Sequence, residues 1–247
     1  ILYIAKRRNT LFHKKLWGFL SEKERIRILV LEERKLSKIT YDYMEDYIRG
    51  LIPERTGTLK EIEDFARENG VPIVQKETGV FLEFMTSMKK PKKILELGTA
   101  VGFSSILMYE SAGVEPDIVT IERDEKMIEM AKVNLDRFNL RDKIKIEQGD
   151  CLEVLERLDD KFDLIFMDAG KGHYNHFLPH CLRLLKDDGI IVADNVLFRG
   201  MVASQELVKR RKRNMLLFWS QILNLKIESL FQLSAFIVMK MMYLEIL

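Results

Sequence analysis

Between Lys92 and Asn195 the chain repeats one rhythm: a short apolar run, then a glycine or an acid, then an amphipathic stretch. Residues 92–97, 117–122, 143–148, 162–167 and 189–194 read as strands. Residues 102–112, 125–138, 151–158 and 174–185 read as the helices between them. This alternating order predicts an α/β fold with a mostly parallel sheet and helices on both faces. In such sheets ligands bind beyond the carboxyl ends of the strands. Five segments of unusual composition meet there: LELGTAVG, TIERD, EQGDC, FMDAGKG and VADNVLF.

The flanking regions differ from this core. Residues 21–36, 41–52, 58–70 and 78–89 carry helical patterns, with Thr58 and Glu61 spaced as a capping box and Gly70 as a stop. After Gly200, residues 204–223 suggest a helix, and LKIESLF and LSAFIVMKM suggest two edge strands that bring the sheet to seven. The division expected is a basic extension over 1–40 followed by one domain over 41–247. That domain comprises a helical cap (41–90), a core (91–200) and a divergent C-terminal part (201–247). The extension carries eleven Lys or Arg against four Glu within residues 1–38, whereas the whole chain of 247 residues has a formal net charge of only +2. Overall composition therefore does not mark a polyanion binder. Two cysteines, Cys151 and Cys181, make neither a disulfide framework nor a zinc pattern, which points to a reducing, cytoplasmic setting. No apolar run reaches membrane-spanning length and ILYIAKRRN lacks a secretory pattern, so no membrane partner is expected.

The loop ILELGTAVGFSS has glycines for close backbone approach, but no lysine for a triphosphate and no third glycine of the dinucleotide fingerprint. Glu122 ends the second strand, where a carboxylate can accept hydrogen bonds from ribose hydroxyls. An adenosine bearing an amino-acid tail instead of a pyrophosphate fits this pattern, with Asp150 against the adenine amino group and the Cys151 backbone beside the ring. Asp168 ends the fourth strand, and Asp194 and Asn195 end the fifth. Oxygen donors without histidine or thiolate suit a hard cation such as Mg²⁺, although the same residue types also cap helices. Lys171 is either a base held near that cation or a solvated lysine. His173 and His176 lack the partners of a zinc site, and Tyr174 reads as part of a substrate or dimer wall.

Taken in order, ILELGTAVGFSS, TIERD, GDC, FDLIFMDAGKGHY and GIIVADNVLFRG resemble the cation-dependent class I O-methyltransferases, the group of the catechol and caffeoyl-coenzyme A enzymes. The resemblance covers residues 41–200. It implies a Rossmann-like class I methyltransferase fold, S-adenosylmethionine as cofactor, and Mg²⁺ or another hard cation such as Mn²⁺. Cofactor contacts would fall to Gly98, Thr99, Gly102, Ser104, Glu122, Asp150, Cys151 and Asp168. Metal contacts would fall to Asp168, Asp194 and Asn195, with Lys171 as the base.

Within that group, NVLFRGMVA followed by KRRKR is similar to the bacterial tRNA 5-hydroxyuridine methyltransferases. This implies wobble 5-hydroxyuridine as substrate, with Arg199, Lys209, Arg210, Arg211, Lys212 and Arg213 meeting the phosphates of the anticodon region. The resemblance also implies a homodimer, with YDYMEDYIRGLI near its interface. The basic residues 1–38, and Ser234, Ala235 and Phe236 in place of a glycine-bearing turn, depart from the pattern. A catechol offers the same adjacent oxygens as 5-hydroxyuracil, so a small-molecule O-methyltransferase is the first alternative. An RNA-binding module that has lost catalysis is the second.

Overall fold

The computed structural model of the chain describes residues 42–170, 172–196, 214, 216–221 and 236–238. All of these belong to one folded unit, Thr40–Leu247. The helix expected over 21–36, the strand expected over 225–231, Lys171, Arg199 and the run 209–213 lie outside the described residues.

Three helices open the described chain: α1 (Asp42–Leu51), α2 (Gly57–Glu68) and α3 (Lys76–Lys89). There follow β1 (Lys93–Leu97), α4 (Phe103–Ser111), β2 (Asp117–Glu122), α5 (Glu125–Arg137), β3 (Ile144–Gln148), α6 (Cys151–Arg157), β4 (Phe162–Met167), α7 (Tyr174–Leu184), β5 (Leu185–Ala193) and β6 (Phe236–Val238). Residues 216–221 are also helical.

The strands lie in the order β3-β2-β1-β4-β5-β6, and each neighbouring pair is parallel. The described sheet therefore has six strands where seven were expected. Strand periodicity sends alternate side chains to opposite faces. Ile94, Leu164, Phe166, Ile190 and Val192 accordingly join one apolar core with Leu59, Ile62, Leu82, Ile106 and Leu107 of α2, α3 and α4. Their neighbours Leu95, Leu97, Ile165, Met167, Ile191 and Ala193 face a second core with Val154 and Leu155 of α6 and Phe177, Leu178, Cys181 and Leu184 of α7. Each such fully buried Leu, Ile or Phe contributes about 1.5–3 kcal/mol, enough for two apolar faces to dock helices on both sides.

Two local expectations need correction. The Thr58–Glu61 capping box does not form: Gly57, at φ 64°, starts α2 after Thr56, leaving Thr58 inside the first turn and Glu61 paired with Arg137. The last core strand starts at Leu185 rather than residue 189. Its pairing jumps from Phe162↔Leu185 to Leu164↔Ile190, so the turn-like Lys186–Asp187–Asp188–Gly189 stretch bulges out of a continuous strand. On α1, Tyr43, Tyr47 and Leu51 stand at 68%, 67% and 66% exposure and form a stripe at helical spacing. Among the described residues, no helix is long and apolar enough to cross a membrane.

The order reverses direction between β1 and β4, since the chain moves outward to β2 and β3 and then returns past β1. This is the switch point at which parallel sheets leave a crevice beyond their carboxyl ends.

Candidate active site

A cleft of about 900 Å³ opens at that switch point, lined among others by Gly98, Glu122, Asp150, Cys151, Asp168 and His173. Its floor is a meeting of two turns. The N–H groups of Asp168 and Ala169 both donate to Leu97 O, at 3.1 and 2.9 Å. A Cβ on Gly98 would come within 3.0 Å of Ala169 Cβ, and Gly98 has φ 102°, so both contact and conformation demand glycine. Gly102, at φ 81°, turns the chain into α4.

Glu122 is held firmly. Its Oε2 accepts Ala100 N–H at 2.9 Å, and its Oε1 accepts Arg123 N–H at 2.9 Å and Asp124 N–H at 3.0 Å. A carboxylate offers about four lone-pair sites, so roughly one remains, on Oε2. Accepting both hydroxyls of a ribose therefore requires one of these N–H groups to yield. Asp150 caps α6 by accepting Leu152 N–H at 2.9 Å on Oδ1, and its Oδ2 lies 3.9 Å from the Arg123 guanidinium. The Cys151 thiol is pushed up to about 12, chiefly by burial and then by the Asp150 and Glu122 charges, so it is no nucleophile.

Thr99, Gly102 and Ser104 stand outside this lining. Thr99 and Ser104 are buried behind it, where Thr99 Oγ1 lies 2.7 Å from Thr120 Oγ1. Thr120 donates in turn to Glu96 Oε2 at 2.7 Å, and Ser105 Oγ donates to the same oxygen. Glu96 is the residue that the sequence reading overlooked; its signal was an acid inside the otherwise apolar strand KILEL. From this fully buried position it ties β1 to β2 and to the first turn of α4.

Burial pushes the Glu96 carboxyl up to about 7 from a reference of 4.5, against the opposing pull of the Ser104, Ser105 and Thr120 hydroxyls. A raised carboxyl pKa means that the folded state holds a proton which the unfolded chain has already released. Stability therefore falls as pH rises from about 4.5 to about 7, by on the order of 3 kcal/mol in total. Urea midpoints recorded from pH 5 to pH 8 should show this decline, and Glu96→Gln should flatten it and be the more stable protein at pH 8. An equal slope in wild type and variant would remove Glu96 as its source.

Met167 pairs with Ala193, so the next residues, Asp168 and Asp194, stand side by side on neighbouring strand ends, Asp168 in the cleft lining and Asp194 and Asn195 outside it. Asp194 N–H donates to Met167 O at 3.0 Å. Asp194 Oδ1 accepts Asn195 N–H at 2.7 Å, while the Asn195 amide nitrogen meets Asp194 Oδ2. Among the described residues no three His, Cys, Asp or Glu side chains gather as a metal cluster, and the acids present here are two. A half-turn of the Asn195 amide would present its oxygen as a third hard donor. His173 and Gly172 line the cleft, and Asn214 Nδ2 donates to Gly172 O at 2.5 Å. Tyr174 is fully buried and so forms no wall; His176 lies exposed in the first turn of α7.

The family model for O-methyltransferases matches residues 54–231. A catechol O-methyltransferase from Niastella koreensis is 32% identical over 171 residues, covering 67% of this chain and 77% of that protein. One from Mycobacterium tuberculosis is 33% identical over 133 residues, covering 53% of this chain and 60% of that protein. Among solved structures, the O-methyltransferase from Bacillus cereus in complex with SAH superposes with a TM-score of 0.67 at 26% identity, covering 74% of this chain and 86% of that one. With the strand order, the cleft at the switch point and a family match over most of its length, this chain belongs to the O-methyltransferase family.

Proposed function

We propose that the protein is an S-adenosylmethionine-dependent O-methyltransferase that requires Mg²⁺ or a similar hard cation, and that it converts 5-hydroxyuridine at the tRNA wobble position to 5-methoxyuridine. The observation that carries this reading is the gathering of acids at the strand ends: Glu122, Asp150 and Asp168 line one cleft, and Asp194 stands beside Asp168 on the neighbouring strand end. Glu122 holds the ribose of the methyl donor and Asp150 its adenine amino group. Asp168, Asp194 and Asn195 would hold the cation, whose contribution when bound is to fix two adjacent acceptor oxygens and lower the pKa of the hydroxyl. The acceptor oxygen forms a bond to the methyl carbon as the sulfur–carbon bond breaks, and Lys171 takes the hydroxyl proton.

The tRNA assignment rests on the likeness of NVLFRGMVA and on the basic run Lys209, Arg210, Arg211, Lys212, Arg213, suited to phosphates. A catechol is the second reading, favoured by the names of the relatives from Niastella koreensis and Mycobacterium tuberculosis. Purified protein with S-adenosylmethionine and Mg²⁺ should add one methyl to tRNA bearing 5-hydroxyuridine, with turnover at limiting tRNA falling steeply as salt rises. Methylation of a small catechol alone would overturn the tRNA assignment, and methylation of neither substrate would count against both readings.

A further inference from the structure

Tyr174 opens α7 with its side chain fully buried between the ends of β4 and β5. Its hydroxyl donates to Met167 O at 2.7 Å and lies 3.1 Å from Asp194 O. Met167 immediately precedes Asp168, so one phenol bridges the backbone of the two strand ends that carry Asp168 and Asp194. Burial, then the Asp168 and Asp194 charges, holds this phenol well above its usual range, so it remains a donor. A clamp stands behind it. Phe218 meets the Tyr174 ring edge-on at 5.5 Å, Trp219 Nε1 donates to Val196 O at 3.1 Å, and Gln221 Nε2 donates to Asn175 O at 3.1 Å. The helical residues 216–221 thus grip the first turn of α7 and the loop that follows β5 without entering the lining of the cleft.

We propose that Tyr174 is a positioning residue that sets the separation of Asp168 and Asp194 for a divalent cation, with Trp219 holding the second loop in place. This rests on the reading of Asp168, Asp194 and Asn195 as cation ligands. Two carbonyls bridged by one hydroxyl are kept at a fixed spacing, and their strand ends carry the carboxylates with them. Tyr174→Phe removes that bridge while keeping the ring and its contact with Phe218, and leaves Met167 O with the Asp194 N–H but without the phenol. The residue acts on the backbone that carries the ligands, and partners that orient metal ligands are worth about 10- to 100-fold in metal affinity.

The test is calorimetric titration of the full chain with Mn²⁺ in the absence of acceptor, alongside a titration with S-adenosylmethionine. Tyr174→Phe should bind Mn²⁺ roughly 10- to 100-fold more weakly and bind S-adenosylmethionine as wild type does. Saturating cation should return most of its kcat, whereas a packing defect would lower both affinities and would not be rescued. Trp219→Phe, which keeps an aromatic ring and loses the N–H to Val196 O, should shift Mn²⁺ affinity in the same direction by less; it serves if Tyr174→Phe does not fold. If wild type binds Mn²⁺ through Asp168, as Asp168→Ala would report, and both variants bind it equally well, the positioning role is overturned and the cation site stands. If wild type itself shows no Asp168-dependent Mn²⁺ binding, the cation site fails and this role with it.

Discussion

Asp168→Ala is expected to cut methyl transfer by roughly 100-fold or more, beyond the 10- to 100-fold typical of losing a partner one step from a metal. The backbone at this position is secured independently of the side chain, because Asp168 N–H donates to Leu97 O and the following N–H donates to the same oxygen. Removing the carboxylate therefore leaves the turn in place and takes away one of only two acids at the β4 and β5 ends. The other acid already spends Oδ1 on Asn195 N–H, which limits what it can supply alone. Binding of S-adenosylmethionine, followed by calorimetry, should change much less than turnover, since Glu122 and Asp150 lie at the other end of the cleft. Turnover near the wild-type rate at limiting Mg²⁺ would show that Asp168 is no ligand.

The second large effect is expected at Glu122. Glu122→Ala should weaken S-adenosylmethionine binding by roughly 10- to 100-fold, the equivalent of losing a hydrogen bond to a charged group. It should also loosen the turn that the carboxylate gathers, because Ala100, Arg123 and Asp124 lose their shared acceptor. This explains why the isosteric Glu122→Gln should not rescue binding: one amide oxygen cannot accept from both sides, and its NH₂ would face a backbone N–H. Calorimetric titration that returns wild-type affinity for Glu122→Ala would remove the ribose-acceptor role.

The sheet was legible because its strands are buried on both faces and so read as apolar runs; β2 and β4 occupy the ranges that their sequences suggest. The start of β5 was not, since Asp187, Asp188 and Gly189 are turn residues by composition and only pairing across the bulge keeps them in a strand. The site acids were legible for a related reason. In a parallel sheet whatever follows an apolar strand falls at one rim, so Glu122, Asp150, Asp168 and Asp194 could be gathered from their order alone. Side-chain direction within the rim could not. Gly98, Ala100 and Gly102 all take positive φ, which redirects the loop and leaves Thr99 and Ser104 facing inward. The roles of Glu96 and Tyr174 were equally hidden, because each depends on partners from a different strand or loop. Glu96 gains its place from Thr120 and Ser105, and Tyr174 gains its place from the carbonyls of Met167 and Asp194.

The most direct test of cation-dependent methyl transfer to oxygen is a single assay on protein stripped with a chelator, given methyl-labelled S-adenosylmethionine and supplied with hydroxyuridine-bearing tRNA and a catechol in the same vessel. No labelled product is expected until Mg²⁺ or Mn²⁺ is restored, and then label on an oxygen that neighbours a second oxygen. Undiminished transfer in the presence of chelator, or label on carbon or nitrogen, would contradict it.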